Sequence, residues 1–138
     1  MKYFFDSSAF AKRFIEEPGS SKVDAICHEA SQLALSVICY PEIISALNRR
    51  LRERSITKKN YFLAKKRFSS ELCQVQIIDI SPRVILETEF LLENNSLRTL
   101  DALHLASALE WEADFFVTSD IKQGKAAEKM KLSIQFVD

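Results

Sequence analysis

The sequence predicts an α/β fold, a three-layer α/β/α sandwich built on a five-stranded, mainly parallel sheet. Three observations carry this expectation. Short apolar runs recur between longer segments whose apolar residues follow helical spacing. The runs are continuously hydrophobic, as strands buried on both faces must be. Strand-like and helix-like segments also alternate along the chain, the order that yields parallel strands joined by helical crossovers.

Lys2–Phe5 reads as the first strand and closes at Asp6. Ser7 or Ser8 is the expected cap of a helix carrying Phe10, Ala11, Phe14 and Ile15, which Pro18-Gly19 ends. Ser20 or Ser21 is the expected cap of the next helix, with Val23, Ile26, Cys27 and Ala30 on one face, and residues 33–38 follow as a buried strand. Pro41 suits a first helical turn, where its missing N–H costs nothing. It places Glu42 in that turn, ahead of a stripe of Ile43, Ile44, Ala46, Leu47 and Leu51.

Thr57 caps a further helix bearing Tyr61, Phe62, Ala64 and Phe68, and residues 75–80 form the third strand candidate. Ser81-Pro82 joins a cap to a proline at the first helical position and opens a helix with Val84, Ile85, Phe90 and Leu91. Leu103, Leu105, Ala106, Ala108, Leu109 and Trp111 mark a strongly apolar helix. Asp101 lies in its first turn, where a negative charge is favoured by the helix dipole. Phe115–Thr118 is a short strand ending at Ser119-Asp120; a helix over residues 122–130 and a strand over residues 133–137 complete the chain.

A chain of 138 residues has the usual length of one domain, here residues 1–138, and should bury roughly two-thirds of its unfolded surface. Hydrophobic residues at 47% with 28% charged supply enough apolar surface to order it, which excludes a disordered protein. The formal net charge is zero, so any nucleic-acid binding must come from an uneven charge distribution. Basic clusters occur at Arg49, Arg50, Arg52, Arg54, Lys58 and Lys59, at Lys65-Lys66-Arg67, and at Lys122, Lys125, Lys129 and Lys131. Each can be a solvated helical face, and only those flanking a site would matter.

Cys27, Cys39 and Cys73 are odd in number and lack Cys-x-x-Cys spacing, so reduced thiols in an apolar core are expected rather than disulfides or a zinc site. No basic leader with an apolar stretch and cleavage site opens the chain, and no apolar run approaches the roughly 20 residues of a membrane span. The expectation is a cytoplasmic protein without a membrane partner.

Asp6, Glu42, Asp101 and Asp120 all sit where elements begin or end. Taken singly, each has an ordinary explanation as a cap, a turn residue or a partner of a helix dipole. In an open parallel sheet, however, ligands bind outside the carboxyl ends of the strands near a topological switch point, and all four acids can reach that edge. Grouped carboxylates repel unless a cation or proton neutralises them, and their hard oxygens suit Mg²⁺ or Mn²⁺. Such a centre serves phosphodiester hydrolysis by activating water and neutralising charge on the attacking and leaving oxygens. His104 is expected to pack or hydrogen-bond locally, and Asp114 to be a turn residue.

At these residues the chain resembles the PIN-domain ribonucleases, specifically the VapC-like toxins of type II toxin-antitoxin pairs. Phe4-Phe5-Asp6-Ser7-Ser8-Ala9-Phe10 is similar to the family's opening Asp-x-Ser-Ala motif, and Pro41-Glu42-Ile43-Ile44-Ser45-Ala46-Leu47 to its glutamate-bearing motif. Arg98-Thr99-Leu100-Asp101-Ala102-Leu103-His104-Leu105-Ala106 and Phe116-Val117-Thr118-Ser119-Asp120 resemble the third and fourth. The resemblance implies a PIN-like fold with Asp6, Asp101 and Asp120 holding Mg²⁺ or Mn²⁺, and Glu42 helping through water or as a further ligand. Ser8, Thr118 and Ser119 match the family's supporting hydroxyls. It also implies an RNA substrate cut to 5′-phosphate and 3′-hydroxyl ends, a homodimer, and a cognate antitoxin in the active-site groove.

The basic clusters at residues 49–59 and 65–67 could guide RNA phosphates. Tyr40 and Phe10 could meet a base or the antitoxin, although a core role suits them better. Two rival readings stay open. One is an aspartate-based phosphatase or phosphoacceptor with Asp6 phosphorylated and Thr118 on the phosphate, although Ser8 stands where such phosphatases want a second Asp. The other is a catalytically inactive interaction module of the same fold.

Overall fold

Alternating side chains along the strands build two cores, one on each face of a single sheet. In the computed structural model, which describes residues 1–138, the strands are β1 (Lys2–Phe5), β2 (Gln32–Ser36), β3 (Gln76–Ile78), β4 (Phe115–Thr118) and β5 (Ser133–Phe136). The helices are α1 (Ser7–Phe10), α2 (Ser20–Glu29), α3 (Cys39–Arg52), α4 (Lys58–Leu72), α5 (Pro82–Asn94), α6 (Thr99–Glu110) and α7 (Ile121–Lys129). A 3₁₀ turn, Ala11–Arg13, extends α1.

All neighbouring strands pair in parallel, in the order β3-β2-β1-β4-β5. The chain builds from β1 outward through β2 to β3, then returns to lay β4 and β5 on the other side of β1. The order therefore switches between β1 and β4, where an open α/β sheet forms its ligand crevice. Tyr3, Phe5, Leu35 and Val117 point to the face covered by α1–α4, meeting Phe10, Ile43 and Phe68. Phe4, Ala34 and Phe116 point to the other face, against Leu91, Leu105 and Ala126 of α5–α7. Stacked rings clamp β1 to β4 on both sides, with centroids 4.8 Å apart for Tyr3–Phe115 and 6.1 Å for Phe4–Phe116.

The five strands and the succession of helices match the expected α/β/α sandwich, and Thr57 and Ser81 cap α4 and α5 as anticipated. Other details differ for physical reasons. Asp6, rather than Ser7 or Ser8, caps α1: its carboxylate accepts the Ala9 N–H at 2.9 Å. Gly19, rather than Ser20 or Ser21, caps α2, because a left-handed φ of 95° is needed to turn the chain into it. The helix expected through Ile15 is a single α-turn and a 3₁₀ turn. Strand β3 is only three residues long, not six.

The buried helical faces are narrower than the apolar spacing suggests. Phe62, Ile85 and Phe90 are 64%, 51% and 48% exposed, whereas α5 buries Val84, Thr88 and Leu91. Of the thiols, Cys39 is buried, Cys27 half-buried and Cys73 exposed, so the expectation of three core cysteines holds only in part. Burial pushes the Cys27 and Cys39 thiols up to about 12, leaving both protonated and unreactive at neutral pH.

Gly19 also lets the end of the chain close over α2: a Cβ there would lie 2.9 Å from the backbone of Val137 and Asp138. Gly19→Ala combines left-handed strain with that clash and should cost about 2 kcal/mol or more. Chemical denaturation would show a lower midpoint at unchanged slope; an unaltered midpoint would refute this account of the glycine.

Candidate active site

The end of β1 and the end of β4 are neighbours, so the residues just beyond them begin side by side. The Asp6 N–H still continues the sheet by donating to the Val117 carbonyl at 3.1 Å. Beyond it the side chains take over. The buried Thr118 hydroxyl donates to Asp6 Oδ2 at 2.5 Å and accepts the Asp120 N–H at 2.9 Å. In parallel, Ser119 Oγ donates to Ser8 Oγ at 3.1 Å, and Ser8 Oγ donates to Asp6 Oδ1 at 2.9 Å. Ser8, Thr118 and Ser119 thus tie the two strand ends together.

Glu42 comes from the first turn of α3 and Asp101 from the first turn of α6. Asp6, Glu42, Asp101 and Asp120 line one cleft at the carboxyl edge of the sheet, together with Ser7, Ser8, Arg49, Arg98, His104, Ser119 and Gln123. The acids anticipated from sequence therefore share one opening, with Thr118 just beneath it.

Each acid is held by donors of its own. Burial drives the Asp6 carboxyl above the usual carboxylate range, against the opposing pull of His104 and of hydrogen bonds from Thr118, Ala9 and Ser8. Only 1% of Asp6 is exposed, and no lysine or arginine pairs with it. Burial pushes Glu42 upward as well, but hydrogen bonds from His104 and Ser7 outweigh it and hold Glu42 below its ordinary value. Asp101 accepts Arg98 Nε at 3.2 Å on Oδ2 and Gln123 Nε2 at 3.1 Å on Oδ1. Asp120 caps α7 by accepting the Lys122 and Gln123 N–H groups at 2.8 and 3.3 Å, both on Oδ1.

With the acids turned onto these partners, no group of three or more Asp, Glu, His or Cys side chains is arranged to hold a metal ion directly. The donor set nevertheless fits a hard, hydrated dication. It is all oxygen, with the one histidine engaged by Glu42, and Glu42 Oε2 and Asp120 Oδ2 accept no protein hydrogen bond. The Gln123 Oε1 carbonyl oxygen is also buried there without a partner.

Ser7, Arg98, His104 and Gln123 are site residues that sequence reasoning missed. His104 bonds not locally but to Glu42, 62 residues away. The available signal was spacing: His104 and Gln123 each lie three residues beyond a site acid, on the same helical face. Asp114 lies outside the cleft and accepts the Lys2 N–H at 2.7 Å. Phe10 is a core residue as expected, but Tyr40 is not: it is 41% exposed and lies over the core by stacking on Phe68 at 5.4 Å. Of the basic clusters, Arg49 reaches the cleft, Lys122 flanks it beside Asp120, and Arg50 is instead paired with Glu17.

A family model described as the PIN domain matches residues 3–129. Ribonuclease VapC45 of Mycobacterium tuberculosis is 30% identical over 106 residues, 77% of this chain and 74% of its own. Among solved structures, VapBC2 from Rickettsia felis bound to a promoter DNA fragment superposes with a TM-score of 0.71 at 19% identity, covering 100% of each chain. A toxin-antitoxin complex from Klebsiella pneumoniae gives 0.67 at 20% identity, covering 88% of this chain and 89% of its counterpart. The fold, the four acids gathered at its switch point and the match along most of the sequence agree: the chain belongs to the PIN-domain family.

Proposed function

We propose that residues 1–138 form one cytoplasmic endoribonuclease domain, the toxin of a toxin-antitoxin pair, dependent on Mg²⁺ or Mn²⁺. The observation that carries this reading is the delivery of Asp6, Glu42, Asp101 and Asp120 to one cleft from four separate elements. The ribonuclease relative supports the reaction class. The toxin-antitoxin complex of the same fold supports an antitoxin partner.

Asp6, Asp101 and Asp120 are the ligands, directly or through water, with Glu42 acting through water or as a further ligand. An ion held there would supply an activated water and neutralise charge on the attacking and leaving oxygens. Thr118, Ser8 and Ser119 hold Asp6 and Asp120 in fixed relation. Arg49 and Arg98, the cleft's two cations, attract the RNA backbone, and cleavage leaves 5′-phosphate and 3′-hydroxyl ends. The protein acts as a homodimer restrained by its cognate antitoxin. A phosphoacceptor is disfavoured because Asp6 is buried and both its oxygens accept hydrogen bonds.

Purified protein should cleave RNA with Mn²⁺ and stop on chelation. Asp101→Asn should reduce cleavage by about 10²-fold or more while keeping the fold by circular dichroism. Cleavage that persists in chelator, or survives Asp101→Asn, would overturn the reading.

The raised value of Asp6 makes a second test. A folded-state value above the unfolded one means that the native protein binds the proton more tightly. Asp6 thus contributes stability below its unfolded pKa of about 3.9, and that contribution is lost as pH rises through the folded value. Metal-free Asp6→Asn should therefore melt above the wild type at pH 7, with the gap closing on acidification. Mn²⁺ should raise the melting temperature of the wild type only. A lower melting temperature for metal-free Asp6→Asn at pH 7 would contradict this.

A further inference from the structure

Beyond the four acids, we infer that Ser7 and His104 are positioning residues that clamp one oxygen of Glu42 and so dictate which oxygen faces the cleft. The inference rests on the metal-dependent reading above, and its test separates the two.

His104 is 2% exposed, and its Nε2 lies 2.5 Å from Glu42 Oε1. Ser7 Oγ donates to the same oxygen at 2.7 Å and stands 3.1 Å from His104 Nε2. The three groups come from α1, α3 and α6, so the contact is long-range in each pairing. Both bonds fall on Oε1, and none falls on Oε2. An unrestrained glutamate has three side-chain torsions and presents its oxygens in many arrangements. Two donors on one oxygen, each fixed to a different helix, leave Oε2 directed away from them as the free acceptor.

The donor direction is settled by chemistry. A carboxylate oxygen only accepts, so Nε2 must carry a proton to approach it. The other ring nitrogen, Nδ1, is buried without a partner, so nothing on that side competes for the ring's orientation. His104 therefore spends its Nε2–H on Glu42 and is not itself a ligand. Outer partners of this kind set the orientation and basicity of the group they hold.

Calorimetric Mn²⁺ titration of the full chain tests the clamp. Ser7→Ala and His104→Leu should each weaken Mn²⁺ affinity by about 10-fold or more. His104→Gln, whose amide N–H occupies the place of Nε2, should recover affinity to within about 3-fold of wild type. In a Glu42→Gln background, adding Ser7→Ala should change nothing, because the clamp acts only through Glu42. Since Ser7 is not buried, this pair stays informative even where His104→Leu fails to fold.

A metal-free measurement runs beside it: nitrogen NMR of the His104 ring should show the proton on Nε2. Wild-type affinity in Ser7→Ala and His104→Leu, an equal loss from Ser7→Ala in the Glu42→Gln background, or an unprotonated Nε2 would each overturn the clamp alone. A wild-type protein that binds no Mn²⁺ would overturn the metal-dependent reading and the clamp together.

Discussion

The structure depends on a carboxylate placed where a charge is least at home. Asp6 is buried at the junction of β1 and β4, and its environment opposes ionisation even with hydroxyl and amide donors around it. A globular protein gains nothing in stability from such a residue, since burial of an uncompensated charge is costly. Its retention is explained by what it faces. The cleft holds three further acids against two arginines, so negative charge is in excess where Asp6 is buried.

The surrounding structure serves that arrangement in layers. Aromatic stacking across the β1–β4 pair fixes the strands, the Thr118 and Ser8–Ser119 chains fix the turns at their carboxyl ends, and the first turns of α3 and α6 present Glu42 and Asp101 from above. Burial and hydrogen bonding tune the carboxylates differently: burial pushes Asp6 up against the pull of its donors, whereas the donors His104 and Ser7 hold Glu42 down. Arg98 on Asp101 offsets part of the negative charge from the exposed rim, where a long side chain is free to leave.

The fold class was legible because burial on both sheet faces leaves unbroken apolar runs, and β1 and β4 were read to the residue. The acids were legible because strand ends and first helical turns are chemically marked positions. The features that escaped are those decided by contacts across the sequence. Asp6 caps α1 because its carboxylate is already held at the strand end, a choice that nearby Ser7 and Ser8 conceal. Phe62, Ile85 and Phe90 share helical spacing with core residues, yet the helices are rotated so that Ala64, Val84 and Leu91 face inward. The bond from His104 to Glu42 has no local signature because the partners belong to different helices.

The strand order has a temporal consequence. Asp6 and Thr118 are bonded across a separation of 112 residues, and the second strand of the seam is made after β1, β2 and β3. A nascent chain that has exposed β1, β2 and β3 owns half of the crevice and only two of its four acids. Such long-range pairing forms late and slowly, because loop closure precedes its reward. Translation products that stop short of β4 therefore carry no assembled crevice, because half of its walls and two of its acids lie in the later part of the fold.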